Sequence, residues 1–153
     1  MRFEKSGVVL GLVLSLFLIA CGGRPEKKEQ EKHGPAGKPV AGVTEVSRDT
    51  LALSLENGFV RGKVYKEERD KKYFILKTDA PATVSARLES EDTLANLRFT
   101  QIFLPDGSAD GPFGRELEYN LEKPGIYVLS VGENMMAGDP WSGDFSIEVK
   151  LEK

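Results

Sequence analysis

The chain has one cysteine, Cys21, and one histidine, His33. Nucleophilic catalysis by Ser or Cys needs a base such as His within hydrogen-bond reach of the nucleophile. His33 lies in the stretch 24–42, RPEKKEQEKHGPAGKPVAG, which mixes Lys and Glu with Pro25, Pro35 and Pro39. That stretch has no apolar periodicity, cannot offset the entropy of ordering, and reads as a flexible tether. A triad is therefore excluded, and no second His or free Cys can complete a metal site at His33. Paired carboxylates of the glycosidase type remain as a formal option. In alternating strands, however, most Asp and Glu side chains face solvent. The chain is expected to be non-catalytic and to need no cofactor.

Asp106-Gly107-Ser108-Ala109-Asp110-Gly111 sets oxygen ligands at the first, third and fifth positions and Gly at the sixth, like the start of an EF-hand loop. The twelfth position is Leu117 and no flanking helix is apparent. The segment reads as a polar turn between strands, and no metal is assigned. Gly111-Pro112-Phe113-Gly114 lacks the lysine and the helix of a phosphate-binding loop.

The more suggestive segment is Glu133 to Ser142, ENMMAGDPWS, with Met135, Met136 and the only tryptophan, Trp141. Adaptable Met and large aromatics are over-represented at recognition surfaces. Gly138, Asp139 and Pro140 favour a projecting turn. Met135, Met136, Trp141, Ser142 and Gly143 are the candidate binding loop. The competing reading is a loop that folds its apolar residues onto the end of the domain.

The elements that would hold this loop are strands. Leu51, Leu53 and Leu55 alternate with Ala52, Ser54 and Glu56, and Asn57-Gly58 is a turn signal. Further strands are expected at Arg61–Lys66, Tyr73–Leu76, Thr83–Leu88, Leu97–Leu104, Glu116–Leu121, Ile126–Val131 and from Phe145 to the end. Pro105-Asp106-Gly107 and Lys123-Pro124-Gly125 supply turns. Tyr127, Leu129 and Phe145 fall on inward faces. No stretch after residue 42 has a helical period. About eight short strands predict an all-β chain with a single antiparallel, jelly-roll-like sandwich. In 153 residues, with a net charge of −3 and 40% apolar content, there is room for one such domain. A separate cofactor domain and a broad basic nucleic-acid surface are excluded.

At the N-terminus, Arg2 and Lys5 precede an apolar run from Gly7 to Ala20. The run is shorter than the roughly 20 residues a bilayer core requires and matches the apolar region of a signal peptide. It ends Leu18-Ile19-Ala20-Cys21, which resembles the lipobox of bacterial lipoproteins. In that family the thiol takes a diacylglycerol, and the signal is cleaved before the cysteine. The resemblance implies a membrane anchor at Cys21. Gly22, where an Asp would signal inner-membrane retention, implies the outer membrane, facing the periplasm or the surface. The expected organisation is a signal peptide at 1–20, a lipidated cysteine and tether at 21–42, and a sandwich at 43–153.

The sandwich text carries two further resemblances. Gly62, Asp70 to Phe74, Leu97 to Phe103, Asp106-Gly107, Pro124 to Val128 and Ser142-Gly143-Asp144-Phe145 fall in an order that resembles the bacterial pre-peptidase C-terminal domain. Phe145 stands where that family has Tyr, and Lys71-Lys72 adds a residue between Asp70 and Tyr73. Gly62-Lys63-Val64, Tyr73-Phe74 and Pro124-Gly125-Ile126-Tyr127 are similar to the periplasmic inhibitors of goose-type lysozyme. Ser142-Gly143 partly resembles the serine-glycine loop motif of lysozyme inhibitors. The function expected is a lipid-anchored, non-catalytic envelope protein that binds a protein or a glycan and no nucleic acid. The alternatives are an inhibitor of goose-type lysozyme and an accessory subunit of a secretion, adhesion or protease system.

Overall fold

A computed structural model describes residues 42–153. The expectations for the signal peptide, for Cys21 and for the tether up to residue 41 lie outside the described residues.

Ten strands run in chain order: β1 (Val43–Ser47), β2 (Thr50–Leu53), β3 (Phe59–Lys66), β4 (Lys72–Thr78), β5 (Ala82–Glu89), β6 (Arg98–Phe103), β7 (Ala109–Asp110), β8 (Glu116–Leu121), β9 (Gly125–Gly132) and β10 (Gly143–Glu152). They form a six-stranded sheet, ordered β1-β2-β4-β9-β6-β7, and a four-stranded sheet, ordered β3-β10-β5-β8. One core lies between them. Phe74, Leu76, Phe99, Ile102, Leu129 and Val131 come from the larger sheet, and Val84, Leu117, Phe145, Ile147 and Val149 from the smaller. The rings of Phe74 and Phe145 meet edge to face across the sheets, 6.3 Å apart at 82°. The expected β-sandwich is present.

Two strands exceed the sequence expectation. β1 buries one residue of five, so it carries no apolar alternation, and β7 is two residues long. β7 takes up Ala109 and Asp110, so the expected polar turn shrinks to Asp106-Gly107-Ser108. The Asp106 carboxylate there accepts from the Ser108 backbone N–H and hydroxyl, at 2.9 and 2.5 Å. One pairing departs from an all-antiparallel sandwich: β2 runs parallel to β4. Parallel neighbours need a crossover, and β3, in the opposite sheet, provides it. The chain enters β3 through Asn57 and Gly58, both at positive φ (52° and 76°), the backbone a two-residue primed turn requires.

Two local features explain how the sheets close. A Cβ on Gly62 would sit 2.3 Å from Cγ2 of Val43, so glycine lets β1 press onto β3. In β6 the pairing with β9 shifts between Phe99 and Gln101. The bulge at Thr100 puts Phe99 and Ile102 on the same buried face although they lie three residues apart, against the two-residue strand period.

Candidate binding site

The alternation in β3 points Val60, Gly62, Val64 and Lys66 into the protein. The last of these is a lysine with no exposed surface. Its ammonium donates to Oε1 of Glu133 at 2.7 Å, to the Glu67 carbonyl at 2.7 Å and to the Trp141 carbonyl at 3.0 Å. All three ammonium donors thus have an acceptor, which is how a buried lysine is tolerated. Glu133 leaves the end of β9 with its side chain 4% exposed. The same Oε1 also accepts from the backbone N–H of Arg69 at 2.9 Å and of Trp141 at 3.0 Å. One buried ion pair therefore ties the two ends of the loop from Glu133 to Trp141 to each other and to β3.

Asn96 crosses the middle of the loop. Its side-chain nitrogen donates to the carbonyls of Asn134 and Asp139, and its oxygen accepts from the Asn134 N–H at 2.9 Å. Trp141 is half-buried against the core, and its indole N–H donates to Oδ2 of Asp92 at 2.8 Å. The indole lies over Gly143, where a Cβ would be 2.6 Å from the ring. Ser142 precedes β10, and Gly143 begins it.

The five candidate residues thus divide. Trp141 and Gly143 form a stacked support at the loop's exit, with Ser142 between them. Met135 is 55% and Met136 99% exposed, in the turn that follows Asn134, the residue Asn96 holds. Trp141 thus packs back onto the core, as the folded-back reading expects, while Met135 and Met136 are left exposed. A groove of about 270 Å³ runs beside it, lined by Lys63, Ser90, Asp92, Trp141 and Asp144 among others.

Burial by itself would raise the Glu133 carboxyl. The Lys66 ammonium and the N–H groups of Trp141 and Arg69 outweigh it and hold the group below the ordinary glutamate value. Asp92 is also held low, first by the Trp141 indole N–H and then by the Leu94 N–H. A depressed carboxylate pKa stabilises the fold above the ordinary value, about 4.3 for Glu, and this is lost as pH falls through the folded value. The loop is expected to keep its grip from neutrality down to about pH 4 and to open below that. Since Trp141 is the only tryptophan, its fluorescence during acid titration reports the opening. A transition near pH 6 would contradict this assignment.

Sequence reasoning missed Lys66, Glu133, Asn96 and Asp92. The strand parity that buries Val60 and Val64 carries on to Lys66 and was the available signal. Asn96 and Asp92 had none, because they reach the loop across the sandwich end. Among the described residues no group of three or more His, Cys, Asp or Glu could hold a metal ion.

No family model matches this chain, and no curated protein matches it in sequence. The resemblance to the pre-peptidase domain gains no support there. Among solved structures the chain is similar to Salmonella Typhimurium PliG, a periplasmic lysozyme inhibitor of g-type lysozyme. The match has 14% identity and a TM-score of 0.51, over 69% of this chain and 100% of that one. Aeromonas hydrophila PliG, which bears the same description, matches with 16% identity and a TM-score of 0.48 over 67% of this chain and 96% of that one. A mutant of PliG from Escherichia coli matches with 11% identity and a TM-score of 0.41, over 66% and 96%. At this distance the Salmonella likeness establishes a shared β-sandwich fold.

Proposed function

We propose that this protein is a non-catalytic binding protein of the cell envelope that recognises a protein partner through the loop from Glu133 to Ser142, with g-type lysozyme as that partner. The observation that carries the reading is the construction of the loop. Its base is fixed by the buried Lys66–Glu133 pair, and its Met135–Met136 tip is open to solvent. A rigid support under an adaptable apolar tip lowers the ordering cost of binding while leaving contact area free. The shared fold with Salmonella PliG, over the whole of that chain, supports the choice of enzyme.

The test is stoichiometric inhibition. Purified protein lowers goose-type lysozyme activity in proportion to its concentration, and Met135→Asp with Met136→Asp weakens inhibition by about 2 kcal/mol or more. The thermal midpoint stays where it was, because neither side chain supports the core. Full activity of the enzyme in excess protein would reject lysozyme as the partner. Undiminished inhibition by the double variant would reject the loop.

The envelope location rests on Cys21, the residue after the apolar run Gly7–Ala20. Acylation there would anchor the protein, and two or more acyl chains make such an anchor stable. Cys21→Ala releases the protein from the membrane fraction or blocks signal processing. Recovery of the mature variant with membranes would end the lipoprotein reading.

A further inference from the structure

A second surface lies on the solvent face of the four-stranded sheet, with Glu89, Ser90, Glu91 and Ser146 shared between its edge and the groove beside the loop. Arg61, Glu148, Arg87 and Glu116 sit directly opposite one another on β3, β10, β5 and β8. They form a ridge across all four strands. Arg61 meets Glu148 at 2.9 Å, and Arg87 meets Glu116 at 2.8 Å. Glu89, two residues beyond Arg87 on β5, takes both guanidiniums, Arg61 at 3.1 Å and Arg87 at 3.6 Å. On either side of this ridge runs an open groove. One, of about 560 Å³, passes between Arg61, Glu89, Arg115 and Ser146. The other, of about 400 Å³, passes between Phe59, Ser85, Glu118 and Lys150. Arg87 and Glu116 line both.

We propose that this face binds a glycan, a chain of uncharged hexoses laid across the strands. Exposed ion pairs add little to stability, so the ridge is poorly explained as a staple. It is better described as a fixed array of donors and acceptors. Glu116 meets Arg87, and Glu148 meets Arg61, through Oε1. Among the described residues the second oxygen of each carboxylate is unengaged. Charged groups make the stronger hydrogen bonds, and sugar hydroxyls both donate and accept. Phe59, 46% exposed at the edge of the sheet, offers a ring on which the C–H face of a hexose can stack. The first groove sets Arg61, Arg87 and Arg115 against Glu89, Glu91 and Glu116, and the second sets Arg87 and Lys150 against Glu116, Glu118 and Glu148, so neither has the excess of positive charge that binds a nucleic acid or another polyanion. The centre of a protein interface is depleted in charge, whereas the centre of this face is the ion-pair ridge. The proposal uses no part of the loop and stands or falls separately from it.

Amide shift mapping on the full-length chain in detergent tests it, with a tetramer of N-acetylglucosamine in one arm and a tetramer of glucose in the other. The two arms distinguish an acetamido-bearing wall glycan from a neutral surface polysaccharide. Shifts at outward positions of β3, β5, β8 and β10 are expected with one of them, at an affinity of about 1 mM. Phe59→Ala weakens that affinity by about tenfold, and Arg87→Gln, at an exposed position, does likewise. No shifts with either sugar would overturn the proposal. So would shifts confined to the loop, or binding that survives both substitutions. Shifts on this face produced by lysozyme and by neither sugar would assign it to a protein and overturn it equally.

Discussion

Phe145→Ala lowers the free energy of unfolding by about 3–5 kcal/mol. Phe145 sits near the start of β10, the strand between β3 and β5, and is 1% exposed. Its ring meets Phe74 from the opposite sheet edge to face. The loss therefore includes the transfer of the ring, the cavity it leaves and an aromatic contact bridging the two layers. Backbone ladders flank the position on one side, Phe145 opposite Val64, and limit how far the cavity can collapse. Chemical denaturation measures the loss, and an unchanged m-value with a lower midpoint marks a stability effect rather than a change in the unfolded state. A loss well under 1 kcal/mol would place the ring outside the core.

The second large effect belongs to the ion pair. Lys66→Ala leaves the Glu133 carboxylate buried beside backbone N–H groups, and Glu133→Ala leaves a buried ammonium without its counter-charge. Each is expected to cost about 3–5 kcal/mol. Replacing both by apolar residues of similar length, Lys66→Met with Glu133→Leu, costs less than the sum, because no buried charge is stranded. The backbone N–H groups of Arg69 and Trp141 then lose their acceptor, so the pair is not replaced without loss. Thermal melts of Lys66→Met, Glu133→Leu and the double variant close the cycle and give the coupling. Additive losses would mean that the two side chains act independently. Under the function proposed above, the double variant also separates fold from function: a folded protein with a loosened loop would inhibit lysozyme less well than its stability predicts.

Much of this architecture was legible from alternation alone. The buried residues of β5, β8 and β10 and the apolar ones of β9 follow two-residue spacing, with Ser130 buried as well on the other face of β9, and Tyr127, Leu129 and Phe145 are buried as expected. The strand at Leu97–Leu104 was legible as a strand but not in its facing, since the bulge at Thr100 breaks the parity. β1 was invisible because an edge strand with four exposed residues has no apolar signature, and its place is fixed by Val43 on Gly62. The loop was recognisable from Met135, Met136 and Trp141. What holds it was not, because a Lys and a Glu 67 positions apart carry no mark in the sequence that they share a buried site. Lys72 repeats the lesson. It is almost fully buried, and its ammonium donates to the Arg48 carbonyl and to Asp49, both at 2.8 Å. That fastens the β1–β2 hairpin to the larger sheet.

The place of β10 in the smaller sheet governs the order of assembly. β10 fills the space between β3 and β5, pairing Phe59 with Lys150 on one side and Thr83 with Glu152 on the other. Until residues 143–152 are available, β3 has no ladder partner in its sheet, and β5 has β8 alone. Contacts this distant along the chain make folding slow, since loop closure precedes any gain from pairing. In a polypeptide made from its N-terminus, the larger sheet can pair first, while the smaller sheet stays open between β3 and β5 until its last strand arrives. The topology thus makes closing the smaller sheet the last pairing event a growing chain can complete.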